Sequence, residues 1–137
     1  MLSKFLQAAF QEMNVKEVKG KNHNPRILQY HNTTKLKAST DEVPWCSAFV
    51  NFIVMKCGVR GTESALARSW EKWGYEIEKA IPGCVVVLSR GANPMYGHVG
   101  FYLYETKKNI YILGGNQGDA VSIAAYPKSR LVSYRSI

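Results

Sequence analysis

The stretch Pro44-Trp45-Cys46-Ser47-Ala48-Phe49-Val50-Asn51-Phe52-Ile53-Val54-Met55 decides how this chain of 137 residues is read. Proline ahead of a long apolar run marks a helix start. From Cys46 to about Lys56 only Ser47, Asn51 and Lys56 are polar, so the predicted helix is buried on most sides. Gly58 ends it as a left-handed cap. The Cys46 thiol then sits at a helix N-terminus, where the partial positive charge favours thiolate over thiol. Such a cysteine has a physical reason to be reactive. It still needs a base, a group to orient the base, and a groove for substrate.

Upstream, Leu2, Phe5, Leu6, Ala9, Phe10 and Met13 recur at helical spacing and predict an amphipathic helix over 2–13 with Ser3 as cap. Residues 14–24 read as a basic loop, Pro25 opens a short helix through His31, and 32–43 form a polar connection. Downstream, Thr62 caps a predicted helix over 62–73, with Leu66, Ser69, Trp70 and Trp73 on one stripe. After the turn at Pro82-Gly83 the period changes to two. Strands are predicted at 84–88, 99–104, 109–113, 121–125 and 131–134, with a hairpin turn at 105–109. Helices followed by an antiparallel sheet make an α+β fold, read as one domain over residues 1–137.

The charge balance is +8, from 18 basic and 10 acidic residues, and it favours polyanionic partners without choosing among them. The three cysteines, at 46, 57 and 84, are an odd number, which argues against a disulfide framework. Cys46 and Cys57 fall on one helix face but about 16 Å apart along the axis, too far to bridge. Cys57 and Cys84 read as core, and His23 and His31 as solvated. No CxxC or Cys/His pairing at zinc spacing occurs, so neither metal nor cofactor is expected. The segment from Met1 to Phe10 lacks the apolar core and cleavage site of a signal peptide, and no stretch approaches the ~20 apolar residues of a membrane span. The expectation is a cytoplasmically made chain with no leader. No RRM, KH or helix-turn-helix signature points to nucleic acid.

A base for Cys46 is offered by Tyr96-Gly97-His98-Val99-Gly100-Phe101-Tyr102. On period two, His98, Gly100, Tyr102 and Tyr104 share one face, and Val99, Phe101 and Leu103 the core face. The glycines flanking His98 leave a gap where substrate or another backbone can approach. The next strand ends in Leu113-Gly114-Gly115-Asn116-Gln117. In a hairpin turning around Lys107, Asn116 falls opposite His98 and its side-chain oxygen could fix the imidazole tautomer. Asp119 is the second candidate for that role.

Pro-Trp-Cys-Ser-Ala-Phe-Val-Asn at a helix start, Gly-His-Val-Gly-Phe-Tyr on a strand and Gly-Gly-Asn-Gln on the next resemble the papain-like peptidoglycan hydrolases. These are the CHAP amidohydrolase/peptidases and their NlpC-type relatives, and in particular a small single-domain group found in bacteria and phages. The resemblance covers about Asn22 to Arg135. It implies a papain-like fold and a Cys46, His98, Asn116 triad acting on peptidoglycan amide bonds, with the Cys46 N–H as an oxyanion donor. It also places the segment of Tyr30 and Asn24 near the site, as candidates for a second oxyanion donor. Trp45 and Trp70, with Trp73, are candidate groove walls, and Asp41 and Gln117 complete the candidate substrate-binding residues. Asp41 and Glu42 are too few acidic groups to predict the calcium site that some relatives carry.

The function expected from the resemblance is a cysteine peptidase or amidase acting on the cell-wall stem peptide, as a phage lysin or an antibacterial effector. It would reach the wall by holin-type release, phage-tail delivery or dedicated secretion. Its partner would be bacterial peptidoglycan, with weak attraction to anionic envelope polymers. An effector would also have a cognate immunity protein. A monomer is expected. Two alternatives stay open: a protein-directed thiol protease on the same fold, and a non-catalytic basic module binding wall polymer or nucleic acid.

Overall fold

The structure is a computed structural model that describes residues 3–18, 23–37 and 44–137. Helix α1 (Lys4–Phe10) begins at Ser3, whose hydroxyl accepts the Leu6 N–H at 3.0 Å. It is shorter than the predicted 2–13. Turns follow Phe10, and Asn14, in the left-handed region at φ 72°, hands its N–H to the Val121 carbonyl at 3.0 Å. Helix α2 (Pro25–His31) carries its proline in the first turn and is capped by Asn24, which accepts the Arg26 N–H at 2.8 Å. Its inner face holds Ile27, Tyr30 and also His31, which is buried rather than solvated. Helix α3 (Cys46–Lys56) has the predicted bounds, and Gly58 at φ 81° stops it.

The predicted helix over 62–73 is only a 3₁₀ segment, Ala67–Lys72. Side chains of α3 explain the loss. Asn51 Oδ1 accepts the Glu63 N–H at 2.9 Å, and Ser47 Oγ donates to the Ser64 carbonyl at 2.7 Å. Glu63 itself sits at φ 57°. The backbone groups that would have started a helix are thus held by the polar stripe of α3.

Six strands follow: β1 (Tyr75–Ile77), β2 (Val85–Ser89), β3 (Gly97–Glu105), β4 (Asn109–Gly114), β5 (Ser122–Pro127) and β6 (Leu131–Ser136). They form one antiparallel sheet in the order β1-β6-β2-β3-β4-β5. Only β1, a short strand at the sheet edge, escaped the period-two reading. One face of the sheet presents Val85, Val87, Val99, Phe101 and Leu113 to the helices, where Leu6, Ile27, Tyr30, Phe49 and Ile53 meet them. The other face buries Val86, Leu88, Tyr102, Ile110, Ile112 and Tyr134. The chain is therefore α+β with the papain-like arrangement expected: a buried helix, headed by a cysteine, on an antiparallel sheet.

Candidate active site

Cys46 is the first residue of α3, and Trp45 before it supplies no side-chain cap. The helix N-terminus is therefore left positive beside the sulfur. The thiol is buried, and burial alone would push its pKa up. The positive charge of His98 and a hydrogen bond from its ring outweigh this, helped by the backbone N–H groups of Val99 and Ser47. The net result lies below the ordinary thiol range. For His98, burial disfavours the charged ring, but the Cys46 charge, a hydrogen bond with Cys46 and one with Gln117 raise its pKa above the ordinary histidine value. The two shifts describe one thiolate–imidazolium pair. In such a pair the sulfur nucleophile has its proton donor already beside it.

The side chain that orients His98 is Gln117, in place of the expected Asn116. Its Oε1 lies 2.9 Å from His98 Nε2. Its Nε2 donates to the Ile112 and Ser122 carbonyls at 3.1 and 2.6 Å, which fixes the amide orientation. An acceptor at Nε2 requires that nitrogen to carry hydrogen, leaving Nδ1 for Cys46. The Tyr126 hydroxyl sits 3.2 Å from the same Nε2.

The expected register holds where it matters, with Phe101 opposite Leu113 and Tyr102 opposite Ile112, and slips only nearer the turn. But β4 stops at Gly114, so Asn116 lies past the last pair. Asn116 enters the left-handed region at φ 59°, and the next residue turns back to the ring. Asn116 lines the cavity beside His98 without bonding it. Asp119, the other candidate, also lines that cavity and is exposed.

The glycine pair before Asn116 has a steric reason. A Cβ on Gly114 would stand 2.8 Å from Gln117 Oε1. One on Gly115 would stand 2.7 Å from both Phe49 and Trp45.

Several predicted substrate residues prove structural. Trp45 and Trp70 are fully buried, and their indole N–H groups donate to Glu17 at 2.7 Å and to Ser47 Oγ at 2.9 Å. Trp73 donates to the Arg60 carbonyl at 2.9 Å and packs edge-on against Trp70. Tyr30 is buried with its hydroxyl on Glu12 at 2.6 Å, so it has no donor left for an oxyanion. Asn24 is occupied as the α2 cap. Gln117 is buried and bonded to the imidazole. Asp41 and Glu42 lie outside the described residues. Among the described residues, no group of three or more His, Cys, Asp or Glu could hold a metal ion.

Among the described residues, two cavities flank Cys46 instead. One, of about 590 Å³, is apolar and open, walled by Leu36, Pro44, Ala65–Ala67 and the loop of Met95 and Tyr96. The other, of about 260 Å³, is polar and holds His98, Arg90, Asn116, Asp119, Tyr126 and Arg130. Tyr126 lies one residue past the predicted strand, which ends at Ala125, whereas β5 runs to Pro127. Alternation along β5 would have placed Tyr126 on the face of its partner Ile110.

A family model described as the CHAP domain matches residues 38–116, a span that includes Cys46, His98 and the glycine pair. The chain belongs to the CHAP family. CHAP domains are hydrolases of the amidase and endopeptidase type that act on peptidoglycan. No curated protein matches this chain. The match ends at Asn116, so the orienting Gln117 and the Tyr126 and Arg130 walls of this CHAP domain lie beyond it.

Proposed function

We propose that this CHAP domain is a cysteine-dependent hydrolase that cleaves an amide bond of the peptidoglycan stem peptide, as an endopeptidase or an N-acetylmuramoyl-L-alanine amidase. The supporting observation is the Cys46–His98 pair, with Gln117 holding the far ring nitrogen. The Cys46 thiolate attacks the scissile carbonyl, and the oxyanion develops beside the unpaired N–H at the start of α3. His98 passes its Nδ1 proton to the leaving amine as the C–N bond breaks, leaving a thioester on Cys46. His98 then takes a proton from water, whose oxygen attacks the thioester. The acid product leaves and the thiolate–imidazolium pair is restored. The protein reaches the wall as a phage lysin or antibacterial effector, by holin-type release, phage-tail delivery or secretion.

Purified sacculi test the proposal. Wild-type protein releases peptide fragments, whose masses identify the bond cut. Cys46→Ala releases none and keeps its circular dichroism and thermal midpoint. Unfolded protein offered in place of sacculi stays intact. Lysis by Cys46→Ala would refute the proposal.

A further inference from the structure

The polar cavity beside Cys46 holds two guanidinium groups that have no carboxylate partner among the described residues. Ion pairs among the described residues join Arg26 to Glu12, Arg60 to Glu63, Arg68 to Glu71 and Lys128 to Glu105, and none uses Arg90 or Arg130. Arg130 is held in place by its Nε on the Ser89 carbonyl at 2.9 Å and by the Tyr126 ring, 5.1 Å below its guanidinium carbon. That leaves its terminal nitrogens for a ligand. Arg90 is exposed at the mouth and borders both cavities. Asp119 adds one negative charge to the cavity wall and takes part in no ion pair there, so the two arginines leave the wall positive.

Chemistry fixes which part of the substrate this cavity receives. The leaving amine must take its proton from His98, and His98 lines only the polar cavity of the two. The apolar cleft then takes the acyl side of the scissile bond and the polar cavity the amine side. We propose that Arg90 and Arg130 form a carboxylate-recognising subsite, so that the residue released as the amine carries a free carboxylate, which selects the endopeptidase over the amidase because the L-alanine freed by an amidase has its carboxyl bound in the next peptide bond. Guanidinium is suited to this because its planar donors match both carboxylate oxygens. The inference rests on the hydrolase reading of the same site and names the class of its leaving group.

Two arms test it. In the first, the carboxylates of sacculi are converted to methylamides. Wild-type protein digests these about tenfold or more slowly than native sacculi, while in Arg90→Gln, which keeps Arg130, the difference narrows to about two- to fivefold. In the second, no wall substrate is used. Iodoacetate and iodoacetamide alkylate Cys46 by the same displacement, in which the C–S bond forms and iodide leaves, and they differ only in the carboxylate. The ratio of their rates falls about two- to fivefold in Arg90→Gln and in Arg130→Gln relative to wild type, as expected for one partly exposed charge. An unchanged ratio in both variants overturns the subsite whether or not sacculi are cut. Failure on native sacculi with the ratio still lowered overturns the wall reading alone. Equal digestion of native and amidated sacculi by wild type overturns the leaving-group assignment.

Discussion

Replacing Gln117 with leucine separates this site from the one expected on strand register. The substitution roughly keeps the volume of the side chain but deletes the acceptor 2.9 Å from His98 Nε2 and the donor shared by the Ile112 and Ser122 carbonyls. A hydrogen bond to a charged group contributes about 1.5–3 kcal/mol. At roughly 1.4 kcal/mol per factor of ten, losing that support for the imidazolium lowers kcat/KM about ten- to hundredfold. Each carbonyl left unpaired adds about 1–3 kcal/mol of destabilisation where water does not reach it. The thermal midpoint therefore drops as well, and rates are compared well below it with the folded fraction checked by circular dichroism. The companion variant is Asn116→Gly, which suits the left-handed backbone there. Asn116 makes no bond to the ring, so this variant keeps kcat/KM within about twofold. Unchanged kcat/KM in Gln117→Leu together with a large loss in Asn116→Gly would refute the assignment.

Two further outcomes follow from the charge pattern. Fragment release against pH should be bell-shaped. The lowered Cys46 pKa keeps the thiolate until pH falls below the ordinary thiol range, and the raised His98 pKa keeps the imidazolium until pH rises above the ordinary histidine value. An acid limb at the ordinary thiol value of about 8.5 would contradict the ion pair. Away from the site, burial opposes the charge on Glu12, but hydrogen bonds from Arg26 and Tyr30 hold its pKa below the ordinary carboxylate value. Its stabilisation is therefore complete above the unfolded pKa of about 4.3 and is lost as pH falls through the lower folded value. Glu12→Gln should cost about 1.5–3 kcal/mol in urea melts at neutral pH, with the gap narrowing in acid. Equal midpoints at neutral pH would contradict it.

What could be read from the sequence was what depends on period and on local backbone chemistry. The bounds of α3 followed from Pro44, the apolar run and Gly58, all local signals. The core face of β3 followed from alternation, since Val99 and Phe101 are buried against the helices. The 62–73 helix failed because its backbone is claimed by Asn51 and Ser47, residues distant in sequence whose reach no local pattern reveals. Gln117 failed for a related reason. Counting cross-strand pairs is valid only while the strand lasts, and β4 ends three residues before Gln117, which returns to the ring through a left-handed turn. The tryptophans misled because aromatic size fits a groove wall and a core equally well. Their indole N–H groups settle the matter by bonding inward, to Glu17, Ser47 and Arg60.

The same contacts tie the cleft to the nucleophile. Ser47, next to Cys46, donates to the Ser64 carbonyl and accepts from the Trp70 indole, gripping both ends of the segment whose Ala65–Ala67 wall the apolar cleft. On the opposite side, Gly115 lets the turn carrying Gln117 rest against Phe49 and Trp45 of the same helix region. The apolar cleft and the group that orients His98 are thus both referenced to the first turn of α3, rather than to loops that could drift independently. Catalytic geometry tolerates little displacement, since reacting atoms must be held near 3–3.5 Å. A fold that fixes cleft, nucleophile and base support against one buried helix meets that demand through packing in its core. This also accounts for an apolar helix interrupted at Ser47 and Asn51, where its polar groups serve as clamps.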